Sequence, residues 1–90
     1  MPAAAPVVTV RYWAAARAAV GRAEEQFQGS TVAEVLAAAV DAHRDNPRFA
    51  QIISISSVLL GDKPVTGRKL GVVRVKDADV LEVLPPFAGG

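Results

Sequence analysis

Apolar and polar residues alternate with period two near both ends of this chain and recur at helical spacing between them. In residues 7–13, Val8, Val10 and Tyr12 share one parity, and Thr9 and Arg11 share the other. The stretch is rich in β-branched and aromatic residues, which predicts a strand with one face in the core and one toward water or a partner. Residues 14–20 change to strong helix formers, and Gly21 stands where a short helix needs a C′ residue of positive φ. Residues 24–28 read as a second strand with Phe27 as its one large apolar residue.

The main helix is the clearest element. Thr31 and Glu34 have the spacing of a capping box. Val32, Val35, Leu36, Ala39 and Val40 then form one apolar stripe, ending in the polar Asp41, His43 and Arg44. Asn46-Pro47 stops the helix. Phe49, Ile52, Ile53 and Ile55 anchor the next segment to the core, in a conformation the pattern leaves open. Residues 58–60 predict a short strand, Gly61-Asp62 a turn leading to Lys63-Pro64-Val65, and 66–69 a loop. Residues 72–75 predict another short strand and 76–79 a polar, solvated turn. Residues 80–84 alternate again, with Glu82 outward, and Pro85-Pro86 ends that strand because proline cannot donate to a β ladder.

This order predicts an α+β fold in which one main helix packs across a small mixed sheet. With the first and last strands adjacent and parallel, the arrangement is a β-grasp (ubiquitin-like) fold. The chain divides into a flexible N-terminal arm (1–6), a β-grasp domain (7–84) and a projecting C-terminal tail (85–90).

Size and composition narrow the chemistry. Ninety residues make one domain, which buries only roughly 60–65% of its unfolded surface and leaves little room for an internal active site. Apolar residues reach 51%, but much of that is Ala, so core bulk is limited. Ten Lys and Arg balance nine Asp and Glu, giving a net charge of +1 and no electrostatic reason to expect nucleic acid or an anionic membrane as partner. Cysteine is absent, which excludes disulfides, Cys-ligated zinc and a thiol nucleophile and fits a cytoplasmic protein. No apolar run approaches the ~20 residues of a membrane span. Residues 1–6 have neither the basic nor the apolar region of a secretory signal.

The candidate chemistry lies in Pro85-Pro86-Phe87-Ala88-Gly89-Gly90. The prolines favour an extended path, and six extended residues reach at most about 20 Å, enough to enter another protein's active site. Gly89 and Gly90 lack Cβ atoms, so the backbone fits a narrow channel and the terminal carbonyl is unhindered. A carboxylate acylates poorly, but transfer of AMP from ATP converts it to a mixed anhydride. A sulfur donor then displaces AMP and leaves a terminal thiocarboxylate. Such a carrier needs no Cys.

Three stretches resemble the MoaD/ThiS family of ubiquitin-like sulfur carriers, and within it the MoaD type, the small subunit of molybdopterin synthase. Residues 13–21 match an aromatic-Ala-x-x-Arg-x-x-x-Gly segment, residues 31–36 the start of the helix, and residues 80–90 the last strand with a Pro-Pro-x-x-Gly-Gly tail. The tail is the most specific of the three. The resemblance implies a β-grasp fold and adenylation of Gly90 by an ATP-using, MoeB-type enzyme. It also implies sulfur delivery by a sulfurtransferase and insertion of the tail into a MoaE-type large subunit. There the thiocarboxylate would give its sulfur to cyclic pyranopterin monophosphate, with the catalytic residues on the large subunit and no cofactor or metal on this chain. By position in that family, Leu59, Leu84 and Phe87 are candidates for the subunit interface, and Arg17 is a candidate to pair across it. Three departures stand out: Asp77-Ala78-Asp79 where Asp-Gly-Asp is usual, Gly61-Asp62 where Asn-Gly is frequent, and Phe87 where Val is common. Ala78 requires either a turn of negative φ or some strain.

Other groups have plainer readings. His43 near a helix C-terminus suits a surface position beside the dipole, and Tyr12 and Trp13 read as core or partial-core packing residues rather than a stacking platform. Asp77 and Asp79 are too few for a dedicated metal site. No acid–base or nucleophile constellation suggests an independent enzyme. Two alternatives remain: a sulfur carrier for another pathway (thiamine thiazole, cysteine or tRNA thiolation), and a ubiquitin-like protein modifier or binding module.

Overall fold

Val8, Val10 and Tyr12 are buried, and so are Leu81 and Val83; the alternating patterns from the two ends of the chain meet in one ladder. The computed structural model describes residues 4–86. Its elements are β1 (Val7–Tyr12), α1 (Ala14–Val20), β2 (Glu24–Gln28), α2 (Val32–Ala42), α3 (Pro47–Ile55), β3 (Ser57–Leu60), β4 (Lys63–Val65), a 3-10 turn (Gly67–Gly71) and β5 (Val80–Leu84). The sheet order is β2-β1-β5-β3-β4. β1 and β5 run parallel, with Thr9 opposite Val80 and Tyr12 opposite Val83, and the other pairs are antiparallel. This is the β-grasp architecture.

The core forms between one sheet face and α2. Val32, Val35, Leu36 and Ala39 share a buried cluster with Val8, Val10, Leu81 and Val83. The capping box forms in a variant manner. Thr31 Oγ1 accepts the Glu34 N–H at 3.2 Å, while Glu34 Oε1 accepts from the Ser30 N–H at 2.8 Å rather than from Thr31. Gly29 lets the chain pass tightly into this helix: a Cβ there would lie 2.9 Å from both Cγ2 and the backbone N of Val35.

The segment whose conformation the pattern left open is α3. Pro47 occupies its first turn, where a missing N–H costs nothing. Phe49 and Ile52 are buried and Ile53 packs against the core, but Ile55 is 63% exposed, contrary to expectation. Helical geometry explains this, because Ile55 lies about 120° around the axis from Phe49. Of the loop expected at 66–69, Thr66 is the extended N-cap and residues 67–69 begin the 3-10 turn. The strand expected at 72–75 is reduced to a single bridge, Arg74 opposite Thr31. Its backbone groups are used elsewhere: the Val73 N–H donates to Lys69 O, the Val32 N–H to Val73 O, and the Val75 N–H to Ser30 O. Val75 is buried while Val72 is 71% exposed.

The turn at 76–79 is a clamp on the first strand rather than a merely solvated loop. Asp77 Oδ1 accepts the Val7 N–H at 2.7 Å, the Ala78 N–H donates to Val7 O at 2.9 Å, and Asp79 Oδ2 accepts the Lys76 N–H at 2.7 Å. Ala78 reaches this geometry with φ of 72°. The turn is thus the strained type, and the left-handed conformation costs an L-residue roughly 1–2 kcal/mol. Glycine removes that strain but loses some entropy on folding. Ala78→Gly is therefore expected to raise the unfolding free energy by about 0.5–1 kcal/mol, read as a higher urea midpoint at unchanged slope. An unchanged or lower midpoint would contradict the strain.

Candidate docking face and tail exit

The strand residues opposite in parity to the core form the second sheet face. Strand register sets one row across all five strands: Pro64 opposite Leu59, Leu59 opposite Glu82, Glu82 opposite Arg11, and Arg11 opposite Glu24. Leu84 lies opposite Ser57 on the same face. Leu59 and Leu84 are half-buried, whereas Arg11, Glu24 and Pro64 are exposed.

Trp13 continues the outward parity of Thr9 and Arg11 beyond the end of β1 and is 39% exposed, so it is not the packing residue expected. Its indole Nε1–H donates to Glu82 Oε1 at 2.7 Å, and its backbone N–H donates to Val83 O at 3.2 Å. Arg11 Nη1 donates to the other oxygen of Glu82 at 3.3 Å, and its guanidinium carbon lies 5.2 Å from the Trp13 ring centroid. An exposed ion pair of this kind contributes less than about 1 kcal/mol, and an exposed cation–π contact about 0.5–1 kcal/mol. Their main effect is to hold a large aromatic surface in one orientation on the sheet face that also carries Leu59 and Leu84. Pre-ordered aromatic and apolar groups of this kind act as anchors in protein interfaces.

β5 ends beside this cluster. Pro85 is buried, Pro86 is exposed, and both stand directly past Leu84. Phe87, Ala88, Gly89 and Gly90 lie outside the described residues. Arg17 is exposed on α1 and makes no ion pair among the described residues. α1 packs against α3, so Arg17 is carried by a helix and not by the strand row of Leu59 and Leu84.

A second polar cluster joins the edge strand β2 to the core. Glu25 Oε1 accepts the Tyr12 O–H at 2.9 Å and lies 2.7 Å from His43 Nε2, which donates when that nitrogen carries the proton. The His43 ring is tilted over Phe49 with centroids 4.9 Å apart, and Phe49 meets Tyr12 edge-on at 5.6 Å. His43 is therefore half-buried rather than a free surface residue. Its partner is a carboxylate already bonded to a buried phenol, an arrangement that ties β1, β2, α2 and α3 together. Among the described residues, no group of His, Asp and Glu side chains is placed to hold a metal ion. No helix there is long and apolar enough to cross a membrane.

The fold and the exit of its last strand define the ubiquitin-like β-grasp class. Solved structures of that class match nearly the whole chain. The small archaeal modifier protein SAMP1 from Methanosarcina acetivorans is 25% identical, covers 99% of this chain and all of its own, and has a TM-score of 0.74. CysO, in the Amycolatopsis orientalis BexX/CysO complex, is 27% identical over 92% of this chain and 99% of its own, with a TM-score of 0.71. The Pyrococcus furiosus protein described as a putative molybdopterin converting factor, subunit 1, is 20% identical over 91% of this chain and 99% of its own, with a TM-score of 0.69. No family model and no curated protein sequence matches the chain.

Burial foremost, with the hydrogen bond and the charge of Glu25 added, pushes Tyr12 ionisation far above the usual tyrosine range. The unfolded chain loses this proton near pH 10 while the folded chain keeps it, so this contribution to stability is complete below about pH 10 and declines above it. Tyr12 is the only tyrosine in the chain. Ultraviolet absorbance should therefore show no tyrosinate near pH 10 while the protein stays folded. The fall in urea midpoint above that pH should be smaller in Tyr12→Phe. Tyrosinate appearing near pH 10 in folded protein would contradict the network.

Proposed function

We propose that this chain is a ubiquitin-like sulfur carrier whose reactive group is the carboxylate of Gly90, and that it serves as the small subunit of molybdopterin synthase. The observation that carries the reading is the parallel pairing of β1 and β5, which brings the start of the Pro-Pro-x-x-Gly-Gly tail out beside an aromatic and apolar sheet face. A partner gripping that face would receive the tail in its own active site. The comparisons support a partner of some kind: CysO is solved in complex with BexX.

In the proposed sequence, a carboxylate oxygen of Gly90 attacks the α-phosphorus of ATP on a MoeB-type enzyme, and pyrophosphate leaves. A sulfur nucleophile provided by a sulfurtransferase then attacks the carbonyl carbon. With hydrosulfide as the simplest donor, a C–S bond forms, the C–O bond to AMP breaks and a proton is released, giving the thiocarboxylate. In the MoaE-type subunit, the thiocarboxylate sulfur would form a C–S bond to a carbon of cyclic pyranopterin monophosphate as a C–O bond at that carbon breaks, giving a thioester. Water then attacks the acyl carbon, the acyl C–S bond breaks with sulfur left on the pterin, and the carboxylate is restored with release of a proton. Pro85 and Pro86 stiffen the arm, Phe87 and Ala88 fill the partner's groove, and Gly89 passes its narrowest point.

A second reading is favoured by the names of the neighbours. SAMP1 is described as a modifier, so Gly90 would acylate a lysine instead of accepting sulfur. The related reading is a sulfur carrier for another pathway (thiamine thiazole, cysteine or tRNA thiolation). These readings share activation of Gly90 and differ in the acceptor.

Reconstitution with activating enzyme, sulfur donor, large subunit and pterin precursor tests the proposal. The wild-type chain should yield molybdopterin, and a chain lacking Gly90 should bind the large subunit but yield none; activity without Gly90 would overturn it. Trp13→Ala should weaken the large-subunit complex by about 2 kcal/mol, some 30-fold, with a smaller loss for Arg17→Ala. Calorimetric titration showing unchanged affinity in Trp13→Ala would remove the sheet face from the contact.

A further inference from the structure

Lys63, Arg68, Lys69, Arg74 and Lys76, five of the ten Lys and Arg residues, fall between residues 63 and 76, a stretch without Asp or Glu. The other five share the rest of the chain with all nine acidic residues. The near-neutral total therefore conceals a basic segment set in an acidic remainder. The fold gathers three of these cations, since Lys63, Arg74 and Lys76 line one cleft of about 340 Å³ whose apolar wall includes Leu60 and Val80.

Among the described residues, none of these three cations lies within ion-pair distance of a carboxylate. The lining also holds two carboxylates, Asp62 and Asp79, so three cations stand against two acids and the formal excess is one positive charge. Asp79 also lines the cleft but accepts the Lys76 backbone N–H, and Asp77 accepts that of Val7. Asp62 is the remaining acid on the cleft wall. Among the described residues the cleft thus presents three cations without an ion-pair partner, one in excess of its carboxylates, beside an apolar wall.

We propose that this cleft docks a short acidic peptide segment of a partner protein, one carrying an apolar residue among its carboxylates. Its volume suits a few side chains. A nucleic acid strand fits less well, because an extended polyanion would run past the cleft onto the acidic remainder of the surface. Position gives the site its use. Val80 stands at the start of β5 and Pro86 just past its end, so up to about 20 Å of extended chain separates the cleft from the tail exit. A partner seated here would leave Trp13, Leu84 and the tail accessible, allowing two proteins to be held at once. The inference does not rest on the sulfur-carrier reading and survives its failure.

The test is a nuclear magnetic resonance titration of the full-length ¹⁵N-labelled chain with a capped, Glu-rich hexapeptide containing one Leu. The Gln counterpart and an oligothymidylate of equal charge are run beside it. Saturable shifts are expected at the amides of Lys63, Arg74, Lys76, Asp79 and Val80, absent with the Gln peptide and weakened by added salt. Combining Lys63→Glu, Arg74→Glu and Lys76→Glu should raise the Kd at least about tenfold, while Arg48→Glu leaves it unchanged. If the triple variant does not fold, as its spectral dispersion will show, Lys76→Glu alone should raise the Kd about threefold. Shifts centred on Arg17, Arg44 or Arg48, equal binding of the Gln peptide, or tighter binding of the oligothymidylate at the cleft would each overturn the proposal.

Discussion

The parallel ladder between β1 and β5 joins residues about 70 positions apart, Thr9 to Val80 and Tyr12 to Val83. Closing so long a loop costs roughly 4 kcal/mol beyond a length-independent term. Burial of Val8, Val10, Tyr12, Leu81 and Val83 opposes that cost, each side chain contributing about 1.5–3 kcal/mol as an upper estimate. The Asp77 and Ala78 bonds to Val7 fix the register from one end, and the Trp13 N–H bond to Val83 fixes it from the other. Without this ladder, α2 has no floor and the chain's end has no defined exit.

The same ladder divides the labour of the sheet. One face receives α2 and closes the core. The other stays open and carries Leu59, Glu82, Leu84, Arg11 and Trp13. A domain this small has no interior to spare for a catalytic pocket. Under the proposed reading the chemistry would be projected outward, with the carboxylate of Gly90 following the exit of β5 beside the ordered Trp13. At the opposite end of β5, the Lys63, Arg74 and Lys76 cleft offers a second, electrostatic surface. The two surfaces differ in physical character: one is aromatic and apolar, the other is lined by three cations.

Much of the fold was legible in the chain because its strongest signals are local. The 7–13 and 80–84 alternation, the Thr31–Glu34 pair and Gly21 each state a conformation directly, and Gly21 does take a φ of 79°. Residues 72–75 misled because β-branched composition cannot reveal that their backbone groups are claimed by Ser30, Val32 and Lys69. Ile55 misled because composition marks it as an anchor, whereas its exposure is set by its place around the axis of α3. The docking face was half-visible. Leu59 and Leu84 stand out through a resemblance, whereas Trp13 reads as a packing residue although it shares the outward parity of Thr9 and Arg11. The Tyr12–Glu25–His43 tie was hidden because its members come from three elements. The basic cleft was hidden by a net charge that averages over the whole surface.

The central claim is that Gly90 is the reactive position, and intact-mass spectrometry tests it most directly. The chain is incubated with ATP, a MoeB-type activating enzyme proven on another carrier, and a sulfur source. The account predicts a mass gain equal to exchange of one carboxylate oxygen for sulfur, located by fragmentation at Gly90. An unchanged mass with the verified enzyme, or sulfur located elsewhere in the chain, would contradict it.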